Sequence, residues 1–97
     1  MKKTCLITGA TDGIGKQTAL ELAHKNYSLV LVGRNLEKGK SVVSELIHET
    51  GNNSIRFHYA DLSIMKSVQN LVVEIKRTYE TIDVLLNNAG AYFSKLK

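Results

Sequence analysis

The chain has no proline, one cysteine, and only four tyrosines and two phenylalanines among its 97 residues. With Cys5 alone, no internal disulfide can form, and a reducing compartment is expected. Cys5 sits in an apolar stretch and reads as a small core residue. The absence of proline suits a chain of closely linked regular elements. No apolar stretch approaches the length needed to span a membrane. Lys2-Lys3 ahead of apolar residues resembles the start of a signal peptide, but the run gives way to Gly9, Asp12 and Gly13, so a cytoplasmic protein is expected. Charge of one sign is not concentrated either. Residues 1–50 carry seven basic and five acidic side chains, residues 51–97 carry six and four, and the net charge is +4. Without a basic stripe, nucleic acid is not an expected partner. His24, His48 and His58 fall on separate elements without ligand spacing, so they read as surface residues and no metal site is expected. Repeats, linkers and low-complexity segments are also missing.

What is there is an ordinary hydrophobic content of 43% and enough chain for one domain, residues 1–97, with one modest core. Apolar patterning alternates between two periods. Residues 3–8 form a short apolar run expected of a strand, and residues 14–25 place Ile14, Ala19, Leu22 and Ala23 on one helical face, with Asn26 as a C-terminal cap. Residues 27–33 contain Leu29-Val30-Leu31-Val32, an unbroken run expected of a strand covered on both faces. Asn35 can cap a second helix, with Glu37 near its positive end, directing Val42, Val43, Leu46 and Ile47 to the core and stopping near Gly51. Residues 54–60 alternate Ile55, Phe57 and Tyr59 against Arg56 and His58. Ser63 can cap a third helix carrying Val68, Leu71, Val72 and Ile75. Residues 82–86 form a fourth strand leading into Asn87-Asn88-Ala89-Gly90.

Strands alternating with helices imply βαβ units and an α/β fold: a Rossmann-type, doubly wound parallel sheet. Right-handed crossovers give the strand order 3-2-1-4, with ligands expected at the carboxyl edge. The segment most informative about ligands is Thr8-Gly9-Ala10-Thr11-Asp12-Gly13-Ile14-Gly15, directly behind the first strand. A strand enters a glycine-rich turn there and a helix leaves it. Backbone amides and a helix N-terminus can then meet a pyrophosphate, because no Cβ atoms block the approach and the helix dipole favours an anion. This reads as a dinucleotide site.

The spacing Gly9-x-x-x-Gly13-x-Gly15, with Thr8 ahead and Ile14 inside, resembles the short-chain dehydrogenase/reductase family. Gly33-Arg34-Asn35 after the second strand, Asp61-Leu62-Ser63 after the third and Asn87-Asn88-Ala89-Gly90 after the fourth match it in register, over nearly the whole chain. The TGATDGIGKQTA and DVLLNNAG stretches are nearest to its retinol-dehydrogenase-like branch. The resemblance implies hydride transfer between a nicotinamide and a carbonyl or alcohol. It also implies cofactor contacts from Gly9, Thr11, Asp12, Gly13, Ile14, Gly15, Arg34, Asp61, Leu62, Asn88, Ala89 and Gly90. In it, Gly9 makes the turn, Gly13 and Ile14 offer amides, and Gly15 lets helix and strand pack closely. Thr11 and Asp12 lie on the adenosine side, Asp61 accepts from the adenine amino group beside Leu62, and Asn88 to Gly90 pass the ribose. Asn87 ties neighbouring strands together.

Cofactor choice follows from charge. An acid ending the second strand would bind the ribose hydroxyls of NAD and repel a 2′-phosphate. Gly33 stands there instead, and Arg34 follows with a guanidinium suited to a phosphate, with Lys38 one helical turn on. NADP(H) is therefore expected over NAD(H). The plainer alternative is that Gly33 permits a turn and Arg34 is a solvated surface residue. Asp12 works against a 2′-phosphate, with Lys16 placed to offset it. Asp61 has a plainer reading as a charge near a helix start, and Asn87 and Asn88 as turn residues.

The family's catalytic Ser, Tyr and Lys lie beyond the last matched segment, and the sequence stops seven residues after Gly90. Tyr92-Phe93-Ser94-Lys95 has the Tyr-x-x-Lys form but abuts the fourth strand, whereas the family carries that pair on a helix well downstream, so no catalytic residue is assigned. Tyr79, Tyr92 and Phe93 read as packing residues. The chain reads as the N-terminal, cofactor-binding half of a longer enzyme that acts on a small carbonyl or alcohol and is homo-oligomeric when complete. Its open fourth strand would make the isolated half prone to associate. Two rival readings remain at this stage: a non-catalytic NADP(H)-binding regulatory or complementing module, and an S-adenosylmethionine-binding fold. The second normally wants the acid that Gly33-Arg34 lacks.

Overall fold

The computed structural model describes residues 2–11 and 13–87. Its elements run β1 (Thr4–Thr8), α1 (Gly13–His24), β2 (Ser28–Gly33), α2 (Leu36–Thr50), β3 (Ile55–Tyr59), α3 (Met65–Thr78) and β4 (Val84–Asn87). All strand pairings are parallel, and the order is β3-β2-β1-β4, as the alternation of strand and helix periods predicts. Parallel neighbours require crossovers, and each crossover here contains a helix.

Side chains alternate across the sheet, so the continuous apolar runs of β1 and β2 feed two cores. On one face Cys5, Ile7, Leu29 and Leu31 pack with Ala19 and Ala23 of α1 and Val42 and Leu46 of α2. On the other, Leu6, Val30 and Val32 pack with Ala60 and Leu71 of α3. The doubly wound architecture is thus present, with α1 and α2 on one side and α3 on the other.

Local chemistry sets most boundaries. Asn26 has φ 66°. Its N–H donates to the Ala23 carbonyl and that of Tyr27 to the Leu22 carbonyl, each at 3.1 Å, a left-handed termination of α1. The Asn35 side chain accepts from Lys38 N at 3.0 Å, capping α2 as expected. Gly51, with φ 73°, ends that helix through an N–H bond to the Ile47 carbonyl at 2.8 Å. Asn52, only 6% exposed, fastens the two turns together. Its Nδ2 donates to the carbonyls of Ala23 (3.1 Å) and Tyr27 (2.8 Å), and its Oδ1 accepts from Ser54 N (2.9 Å) and Lys2 Nζ (3.1 Å).

The structure corrects several expectations. Ile14 is 80% exposed rather than core-facing, because α1 turns its smallest residues, Gly15, Ala19 and Ala23, to the sheet. Ser63 does not cap α3: Ile64 holds that position without a side-chain cap, since the Ser63 hydroxyl is committed to Asp61. Of the α3 stripe only Leu71 is buried, and Val72 lies 44% exposed. Tyr59, last residue of the edge strand β3, is exposed. His58 is half-buried, not a surface residue, with Nε2 3.4 Å from the Tyr79 hydroxyl and the two rings edge to face. Tyr79 has the packing role expected of it. β4 starts later than expected, at Val84, and Asp83 just ahead of it ties the segment to β1, its carboxylate accepting from Thr4 N and its N–H donating to the Thr4 carbonyl. Among the described residues, no helix is long and apolar enough to cross a membrane.

Candidate functional site

The parallel register carries the last residues of the strands to one edge, with Thr8 beside Val32 and Asn87, and Gly33 beside Tyr59. A cleft of about 220 Å³ opens there, lined by Gly9, Thr11, Val32, Gly33, Arg34, Ala60, Asp61 and Leu62. Apolar walls from Val32, Ala60 and Leu62, with one cation and one carboxylate at the rim, suit a flat heterocycle attached to an anionic group. A larger hollow of about 470 Å³ lies at the opposite edge, bounded by Lys2, Lys3, Lys25, Asn26 and Tyr27. Its three lysines can attract an anion, but it lies at the amino ends of the strands, whereas open α/β sheets bind ligands at the carboxyl ends, so the smaller cleft is the better candidate.

The turn after β1 is shaped by its glycines. Gly9 and Gly13 have φ of 65° and 52°, in the left-handed region where side chains are costly. The Gly9 N–H donates to the Val32 carbonyl at 3.3 Å, tying the turn to β2. At Gly15 a Cβ would overlap the Gly9 carbonyl oxygen and lie 2.9 Å from its carbon and 3.1 Å from the Ala10 Cα. Glycine at 15 is therefore a packing requirement, and it brings the first turn of α1 against the strand end. Amides of a helix's first turn have no intrahelical partners, and the dipole adds positive charge, so this edge can hold a phosphate.

Across the cleft, a Cβ on Gly33 would stand 3.3 Å from Phe57 Cε1 and 4.0 Å from Thr11 Cγ2. The space an acid would use at the end of β2 is crowded by the Phe57 ring, and the exposed Arg34 follows. Asp61 Oδ1 accepts from the Ser63 hydroxyl at 2.6 Å and from the Ser63 N–H at 3.0 Å. These two bonds, assisted by the Arg34 charge, hold the Asp61 carboxyl below the ordinary carboxylate range. The Asp61 N–H in turn donates to Ser67 Oγ at 2.8 Å, anchoring the loop to α3.

Of the residues singled out from sequence, Gly9, Thr11, Arg34, Asp61 and Leu62 converge on the cleft. Gly15 stands behind the turn, while Gly13 and Ile14 begin α1 outside the cleft, both exposed. Asn87 joins the strands as expected, accepting at Oδ1 from Thr8 Oγ1 at 3.2 Å. Lys16 pairs with Glu45 of α2 at 2.9 Å, a half-exposed contact of small energetic weight. Asp12, Asn88, Ala89 and Gly90 lie outside the described residues, as do Tyr92 and Lys95. Sequence reasoning missed Ser63 and Ser67 as partners of Asp61, and Phe57 beneath Gly33. The Asp-x-Ser spacing, typical of an aspartate that closes its own turn, was the available signal for Ser63. Burial pushes the Cys5 thiol up to about 11, so it is no nucleophile.

A family model described as short chain dehydrogenase matches residues 3–97. The chain belongs to the short-chain dehydrogenase family. Retinol dehydrogenase 13 of Homo sapiens is 40% identical over 88 residues, covering 91% of this chain and 27% of that protein. Among solved structures, menthone neomenthol reductase from Mentha piperita superposes with a TM-score of 0.86 at 32% identity, over 93% of this chain and 32% of that one. The short-chain dehydrogenase from Sphingobium yanoikuyae, in complex with NADPH, gives 0.80 at 33% identity, over 91% and 34%. This short-chain dehydrogenase sequence thus spans about a quarter to a third of the length of such relatives. A dinucleotide, the family's cofactor, fits what the chain presents: a turn in which Gly15 leaves no room for a Cβ, a cleft with apolar walls, and one charge of each sign at its rim.

Proposed function

We propose that this chain provides the NADP(H) site of an oxidoreductase that interconverts a small carbonyl compound and an alcohol. The observation that carries the reading is the rim of the cleft, where β2 ends in Gly33, crowded by Phe57, and is followed by the exposed Arg34. With no carboxylate at the end of β2 to engage the ribose hydroxyls, and a guanidinium in its place, a 2′-phosphate is attracted and a bare ribose gains little. Asp61, on the opposite rim, accepts from the adenine amino group, and Leu62 packs beside the ring. Gly9 and the first turn of α1 meet the pyrophosphate through backbone N–H groups, which only a glycine turn allows to come close. NADP(H), when bound, supplies the hydride chemistry of the family. The NADPH held by the Sphingobium yanoikuyae relative, together with the names of the reductase and dehydrogenase relatives, supports this assignment.

The test is Arg34→Asp, read as the ratio of NADPH to NADH affinity by titrating the fluorescence of the reduced nicotinamide. Loss of a charge-assisted bond plus a new repulsion should lower the ratio by about 10- to 100-fold. A ratio equal to that of the parent would show that Arg34 takes no part in cofactor choice.

A further inference from the structure

Asp61 is held unequally at its two oxygens. Oδ1 takes both available donors of Ser63, the hydroxyl at 2.6 Å and the N–H at 3.0 Å. The second oxygen receives no hydrogen bond from any described residue. The backbone of Asp61 is fixed as well, through its N–H bond to Ser67 Oγ at 2.8 Å on the first turn of α3. A carboxylate with a tied backbone and one saturated oxygen cannot rotate freely, so its other oxygen keeps a constant aim.

We infer that Ser63 is a positioning residue: it clamps one oxygen of Asp61 so that the other selects a base bearing an exocyclic amino group over one bearing a carbonyl. The inference rests on the dinucleotide reading above and adds the residue that makes base recognition discriminating. An unclamped aspartate could swing to satisfy itself with water or with Arg34, and would tolerate either base. The clamp fixes an acceptor that pairs with an amino group and repels a carbonyl oxygen. The lowered carboxyl pKa, due chiefly to the Ser63 hydroxyl, keeps this group an acceptor at neutral pH.

The experiment compares NADPH with its hypoxanthine analogue, in which a carbonyl replaces the adenine amino group, by direct titration of the purified protein. The parent should favour NADPH by about tenfold. Ser63→Ala should reduce that preference about fivefold, mainly by weakening NADPH, while Ser63→Thr, which keeps the hydroxyl, should stay within about twofold of the parent. Asp61→Asn gives a second reading that does not depend on the alanine variant folding. If the Ser63 donors hold the amide oxygen, the amide nitrogen faces the base, and preference inverts toward the hypoxanthine analogue. Equal losses for both dinucleotides in Ser63→Ala, or no inversion in Asp61→Asn, would overturn the role given to Ser63 and leave the cofactor site standing. A parent that binds neither NADPH nor NADH would overturn the site and the clamp together.

Discussion

Replacing Gly15 with alanine tests the closeness of helix and strand on which the whole turn depends. The new Cβ would overlap the Gly9 carbonyl oxygen and lie 2.9 Å from its carbon, against about 3.5–4.0 Å for an ordinary carbon contact. Every clashing atom is backbone, in a turn already held by Gly9 at φ 65°, so no side chain can move aside. The helix must back away from β1, and the neighbours that would feel it are Ala19 and Ala23, 0% and 2% exposed, too short to follow. Overpacking costs about 1–3 kcal/mol, and because only backbone could give way here the upper part of that range, about 2–3 kcal/mol, applies, offset by about 1 kcal/mol from the better helix propensity of alanine. A net loss of about 1–2 kcal/mol corresponds to a Tm lower by about 5–15 °C in a domain of this size. The same retreat draws the first-turn amides away from the glycine turn at the strand edge, so NADPH affinity should fall alongside stability. Thermal unfolding followed by circular dichroism, paired with a dinucleotide titration, reads both. An alanine variant with the parent's Tm and affinity would refute the close approach inferred at this turn.

Asn52→Ala removes the donor to the Ala23 and Tyr27 carbonyls and the acceptor for the Ser54 N–H. It should cost about 2–3 kcal/mol, seen as a lower denaturant midpoint at unchanged slope, and an unmoved midpoint would count against it. Burial holds the His58 pKa below its ordinary 6.5, against the pull of Glu74 and with the help of Arg56. The unfolded chain then binds that proton more readily, so the stability from the neutral ring is full above pH 6.5 and declines as pH falls through 6.5 toward the folded pKa. His58→Phe should flatten this part of the stability profile, and a profile as steep as the parent's would show that the histidine does not cause it. Cys5, 0% exposed and with its thiol pushed up to about 11, should react with iodoacetamide only as fast as the fold opens. Rapid labelling of the native protein at mildly alkaline pH would contradict that placement.

Much of the fold was legible because its signals are local. The run Leu29-Val30-Leu31-Val32 could only be covered on both faces, and β2 is an inner strand. Asn26, Asn35 and Gly51 were readable as helix ends because their side chains or their left-handed φ act within a few residues. Ile14 misled because hydrophobicity favours burial, whereas the face α1 turns inward is set by how near Gly15 can come to Gly9. Ser63 misled in the same way: a serine before a helix reads as a cap, yet the Asp61 carboxylate two residues earlier competes for its hydroxyl and wins. Lys16 sits beside the turn in sequence and pairs across to α2 in space.

Hydrophobic period, end caps and permitted φ are properties of short stretches of chain, and the order of elements, the parallel sheet and the glycine turn at its carboxyl edge follow from them. The sequence also placed a cation, rather than an acid, after β2. That Arg34, Asp61 and Leu62 share one cleft with Gly9 and Thr11, and that Phe57 crowds the space at Gly33, emerges in the folded chain alone. Those meetings depend on strand register and on the separation of helix from sheet, distances that hydrogen bonds and packing resolve to fractions of an ångström and that residue spacing does not encode.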